Sequence, residues 1–68
     1  MADEQKLREK IEDLNEMRAL VKRDLEKLEE KKHSLKPEKY ERLKGKYERR
    51  IDKIRHKIKQ LEDQLHHH

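Results

Sequence analysis

Ser34-Leu35-Lys36-Pro37-Glu38-Lys39-Tyr40 holds the single proline of the 68-residue chain and separates two long, charged segments with helical periodicity. Proline has a fixed φ close to the helical value and no N–H, so it suits the first position of a helix and disrupts an interior. Pro37 therefore opens a helix. The ring also drives the preceding residue out of the α region, so a helix arriving from the N-terminal side must end before Lys36. The spacing predicts helices over residues 3–33 and 37–65 with a turn at 34–36. With Lys36 as N-cap, Leu35 and Tyr40 occupy the two positions of a hydrophobic staple. Glu38 suits the positive start of the second helix, and Lys31, Lys32 and His33 suit the negative end of the first. Lysine is a poor capping residue, which leaves Ser34 as the candidate acceptor for a free N–H.

Outward from this turn, both segments carry a heptad seam. Leu7, Ile11, Leu14, Val21, Leu25 and Leu28 follow the alternating three- and four-residue steps of a and d positions, with Arg18 at the one a position that is not apolar. Tyr40, Tyr47, Ile51, Ile54, Ile58, Leu61 and Leu65 continue the pattern beyond the turn, with Lys44 at an a position. Two helices of nearly equal length joined by a short turn pair antiparallel, with a facing d. The fold expected is an all-α, two-helix antiparallel coiled-coil hairpin. Its register sets Leu7 against Leu65, Ile11 against Leu61, Leu14 against Ile58, Val21 against Ile51 and Leu25 against Tyr47. Arg18 with Ile54, Leu28 with Lys44 and Lys32 with Tyr40 form mixed layers, in which long basic side chains lay their methylenes along the seam. Asp3 is the candidate N-cap of the first helix. Gly45 falls at a solvent-facing b position, at a cost of ~1 kcal/mol relative to alanine, and is a candidate bend.

The flanking charges agree with that register. In an antiparallel pair e neighbours e and g neighbours g, which sets Arg8 beside Glu62, Lys22 beside Glu48 and Asp24 beside Arg50. Glu29 beside Glu41 is a like-charge pair, with Lys32 and Lys44 close by. Exposed pairs contribute under ~1 kcal/mol each, so they select orientation more than they stabilise.

Composition bounds the rest. The chain is 53% charged and 29% hydrophobic, too little apolar material for a conventional globular core, yet the charges are mixed in sign and the apolar residues periodic. Residues 1–65 read as one hairpin of marginal stability, and His66-His67-His68 as a purification-tag remnant. No cysteine is present, which excludes disulfides and thiolate metal sites, and a cytoplasmic location is the expectation. No apolar run approaches the length of a signal sequence or a transmembrane helix, so no membrane association is expected.

Catalytic chemistry finds no purchase. The single serine lies in the turn with no base nearby, and the carboxylates fall on solvated faces where nothing would raise their pKa. Asp52 and His56 stand four residues apart on one face, but a metal site needs a third ligand. No enzyme activity, metal or cofactor is expected. Two surface features remain. Met17, Leu20 and Leu43 are apolar residues off the seam on one flank, a candidate surface for a partner or for self-association. Residues 34–65 carry eleven basic and six acidic groups, and Arg42, Lys46, Arg49, Lys53 and Lys57 are the candidate contacts of a basic helical arm for nucleic acid. With both tyrosines in the seam, however, such an arm has no exposed aromatic for base stacking.

The whole pattern resembles the short antiparallel coiled-coil hairpins that serve many intracellular proteins as arms, spacers and docking elements. That resemblance implies a non-enzymatic structural or protein-interaction module, whose partner is another protein or the rest of a larger chain. A basic arm binding nucleic acid through residues 39–59 is the alternative. A monomer is expected, since one hairpin already supplies the two helices that a narrow seam needs, with a homodimeric four-helix bundle as the other outcome.

Overall fold

The computed structural model describes residues 4–66. It is an all-α hairpin: α1 spans Glu4–Glu30, a single 3-10 turn spans Lys32–Ser34, and α2 spans Pro37–His66. The two helices lie antiparallel in a rod of 52 × 14 × 11 Å. An α-helix of this length rises about 45 Å, so the long axis is one helix long and the chain folds back along it.

The turn is built as the proline requires, with one correction to the expected boundary. The α-helical part of the first segment ends at Glu30, not at residue 33. Beyond it the chain tightens: the Lys31 N–H is shared between the Lys27 and Leu28 carbonyls at 3.2 and 3.1 Å, and the Ser34 N–H donates to Lys31 O at 2.9 Å. A helix usually stops by turning one residue left-handed, most often glycine. No described residue has a positive φ, and the only glycine lies in α2, so α1 winds down through a 3-10 turn instead. Leu35 is then extended, at φ −106° and ψ 151°. The Tyr40 N–H donates to Lys36 O at 3.0 Å, which makes Lys36 the residue that opens α2. The chain supplies no side-chain hydrogen bond from Ser34 to this cap. Asp3, the candidate N-cap of α1, lies outside the described residues, as do His67 and His68. α2 runs unbroken through Gly45 and continues to His66, one residue past its expected end.

Burial follows the seam. Val21, Ile51, Ile54 and Ile58 form the central cluster, with Ile11, Leu14, Leu25 and Tyr47 packed partly buried against it. Leu28 and Tyr40 are buried near the turn, while Leu7, Arg18, Lys44, Leu61 and Leu65 are half-buried. Lys32, at the start of the 3-10 turn, is exposed, yet its side chain still reaches over the ring of Tyr40, its expected layer partner. No side chain reaches full burial, as expected where two helices enclose a seam one layer deep. Burying a Leu or Ile contributes ~1.5–3 kcal/mol when complete, so the half-buried outer layers contribute less than the central cluster.

Candidate interaction surfaces

Tyr40 closes the turn end of the seam. Its ring is 4% exposed, and its hydroxyl donates to Glu29 Oε1 at 2.7 Å, tying the start of α2 to the end of α1. The Lys32 and Lys44 ammonium groups stand 5.2 and 5.8 Å from the ring centroid, where the negative face of the aromatic attracts them. The bond to the Glu29 carboxylate holds the proton on the phenol. With burial and the charges of Glu29, Glu41 and Glu48, it pushes the Tyr40 pKa up to about 12. The Glu29–Glu41 neighbourhood, a like-charge pair in the sequence, thus acquires a donor between the helices. Phenol length was the available signal: a tyrosine at d reaches past the seam to an e position, and Glu29 is at e.

Arg18 lies half-buried in the middle of α1, and its guanidinium turns out of the seam to donate to Asn15 Oδ1 at 2.9 Å. Arg18 and Asn15 line one groove with Asp52, Arg55, Ile58 and Glu62. The three expected cross-helix ion pairs do not close. Among the described residues the ion pair within 4 Å is Arg8 with Glu4, at 3.1 Å along α1 itself. Arg8 and Glu62 face the same groove without meeting. A pair four residues apart on one helix needs less side-chain ordering than a pair between helices, and neither is strong at an exposed site.

The antiparallel seam leaves two long flanks, and these differ sharply in charge. One groove flank joins Lys10, Asp13 and Leu14 of α1 to Lys57, Gln60 and Leu61 of α2. Nearer the turn, it joins Asp24, Lys27 and Lys31 to Lys39 and Leu43. The c and g positions of this flank carry Lys6, Lys10, Lys27, Lys31, Lys39, Lys46, Arg50, Lys53 and Lys57 against Asp13 and Asp24, a net charge of +7. On the opposite flank, the b and e positions carry Glu12, Glu26, Glu29, Glu38, Glu41, Glu48, Asp52 and Glu62 against Arg8, Lys22, Arg55 and Lys59, a net charge of −4. All these side chains are exposed. The sequence reading placed the excess positive charge on the second helix as a whole. Helical spacing puts five of α2's six acids on one side of the seam, and five of its ten bases on the other with no acid beside them.

The expected contact residues fall within this frame. Met17 and Leu20 are 50% and 58% exposed, one turn apart on the basic flank of α1. Leu43 is on the same flank but separate from them. It is half-buried in the groove at the turn end with Leu28, Leu35 and Tyr47, level with Lys31 and about 20 Å from Met17 along the axis. Of the five basic residues named for nucleic acid, Lys46, Lys53 and Lys57 lie on the basic flank, while Arg42 and Arg49 lie on the outer face of α2 beside it. All five are exposed. Asp52 and His56 line one groove, and among the described residues no group of three or more His, Cys, Asp or Glu side chains gathers where an ion could be held. No described helix is long and apolar enough to cross a membrane. Comparison with known families, curated proteins and solved structures returns no match, so no role is carried over from a relative.

Proposed function

We propose that this chain is a non-enzymatic coiled-coil hairpin, a structural or protein-interaction module that acts as an arm, spacer or docking element in an intracellular setting. The observation that carries the reading is the charge-sorted pair of flanks on a thin rod. The seam takes up most of the apolar residues of both helices, leaving Met17 and Leu20 outside, and leaves two extended surfaces of opposite sign, suited to lateral contact and not to enclosing a small molecule. Every described carboxylate is exposed, so none has the desolvated setting that prepares a catalytic acid or base. Sedimentation equilibrium over a wide concentration range, with melting temperature followed across the same range, tests the module's state. A helical monomer with a concentration-independent melt is the expected result. A tight dimer would recast the chain as an oligomerisation module built as a four-helix bundle.

The exposed basic residues of α2 support a second reading, an arm that holds nucleic acid by its phosphates through residues 39–59. Binding to labelled duplex RNA or DNA would then fall steeply with salt, as counterions released on binding compete again. Neutralising Arg42, Lys46, Arg49, Lys53 and Lys57 together would abolish it. The absence of salt-sensitive binding at low ionic strength ends this reading.

A further inference from the structure

Among the described residues, Met17 and Leu20 are the large apolar side chains that the seam leaves outside, and the flank that carries them is the basic one. The antiparallel register sets Lys53 and Lys57 across the flank from them. Next along the rod, Lys10 of α1 and Lys57 of α2 border the groove that Leu14 and Leu61 line. The flank therefore offers a shallow apolar strip bordered along α2 by cations and along α1 by Lys10, Lys27 and Lys31, with Asp13 and Asp24 between them. From the Lys10–Lys57 level to the Lys31–Lys39 level it extends about 30 Å, the length of a helix of about 20 residues.

We infer that this flank is a docking site for an acidic amphipathic helix of a partner protein, laid along the hairpin as a third helix with its apolar stripe on Met17 and Leu20. The inference rests on the interaction-module reading and names the face and the chemistry of the partner. Charge decides among the occupants. A second copy presenting the same flank brings +7 against +7, a repulsion that no described acid on that face offsets beyond Asp13 and Asp24. A second copy presenting its acidic flank has the right sign but only Ala19 to set against Met17 and Leu20. A nucleic-acid duplex has the right sign too, yet would leave both apolar side chains unused, and Tyr40 and Tyr47 are taken up by the seam. An acidic helix with an apolar stripe satisfies both features, by the mode in which an amphipathic helix fills an apolar groove.

The probe is a labelled synthetic helix of that length with one leucine stripe bordered by glutamates. Its controls are a scrambled peptide of the same composition, the same helix with lysine replacing glutamate, and a DNA duplex. Fluorescence anisotropy reads binding, and circular dichroism follows the fold of every variant. The amphipathic acidic peptide is expected to bind at least about tenfold more tightly than the scrambled one, and the lysine version not at all. Met17→Lys with Leu20→Lys, and separately Lys53→Glu with Lys57→Glu, each weaken binding by about tenfold or more while the hairpin stays helical. Equal binding of the scrambled peptide would reduce the effect to bulk charge and overturn the inference. Tighter binding of the duplex would assign the flank to nucleic acid. A dimer that Met17→Lys with Leu20→Lys dissociates would show the flank occupied by a second copy. A helical chain indifferent to every probe overturns the inference alone, whereas a chain that is not helical by itself overturns the module reading as well.

Discussion

Arg18→Leu replaces the one basic side chain in the middle of the seam, where Ile54 and Ile58 on α2 are 7% and 6% exposed. The size of the effect follows from three contributions. A leucine buried completely would contribute ~1.5–3 kcal/mol, but this position is half-buried, so about half of that is available. Some of it is already present, because the arginine methylenes cover part of the same surface. Against the gain stands the hydrogen bond from Arg18 to Asn15, 2.9 Å long and exposed, worth a few tenths of ~1 kcal/mol. The net expectation is a stabilisation of about 0.5 kcal/mol, which for a domain of this size raises the melting temperature by roughly 2–4 °C. Thermal denaturation followed by circular dichroism, at two concentrations to detect association, measures it. Arg18→Ala serves as the reference, because at a solvent-facing helix position alanine is the better residue by a few tenths of a kcal/mol, whereas in the seam leucine wins clearly. If Arg18→Leu melts no higher than the parent, or no higher than Arg18→Ala, residue 18 does not face the Ile54 layer and the register is wrong.

Gly45→Ala is expected to stabilise by about 1 kcal/mol, since the glycine is helical and its added methyl meets only the mobile Arg49 Nη1, at 3.3 Å. A lower melting temperature would mean that α2 needs a bend there. Tyr40 is expected to ionise late. In a Tyr47→Phe background, tyrosinate absorbance should rise with a midpoint near 12, and Glu29→Gln should lower it by replacing a charged acceptor with a weaker, neutral one. The native pKa lies above the unfolded value of 10.0, so the folded chain holds the proton more tightly: this stabilisation is complete below pH 10 and is lost as pH rises toward 12. A midpoint near 10 while the helices remain folded would contradict the Tyr40–Glu29 bond, whose neighbours Lys32, Lys44, Glu41 and Glu48 are the other charges near the ring.

The hairpin was legible in the sequence because its two determinants are local. Pro37 dictates where the second helix starts, and the apolar steps from Leu7 to Leu65 dictate which faces meet. What escaped depends on geometry that periodicity does not carry. The close of α1 turned on how a chain without a left-handed residue stops a helix, and the result is a 3-10 turn in which Lys32 is exposed with its ammonium over the Tyr40 ring. The Arg8–Glu62, Lys22–Glu48 and Asp24–Arg50 pairs were reasonable by position, but exposed side chains choose among rotamers of nearly equal energy, and Arg8 finds Glu4 instead. The flank charges were present in the sequence all along. They emerge only when the charges are sorted by the sides of the seam, because the total of each segment mixes both flanks with the outer face.

One chain folding back on itself is what creates a basic and an acidic flank. Because the chain has no cysteine, Glu9→Cys with Asp63→Cys gives two unique labelling sites, both exposed and level with each other at the open end of the hairpin. Pulsed electron–electron double resonance between spin labels there, with labelled chains diluted in unlabelled ones, measures their separation. Helices packed at 8–10 Å between axes place outward-facing labels about 20–30 Å apart, and dilution should leave that distance unchanged. A distance near 80 Å, the span of one continuous helix over these positions, or a short distance that vanishes on dilution, would contradict the hairpin.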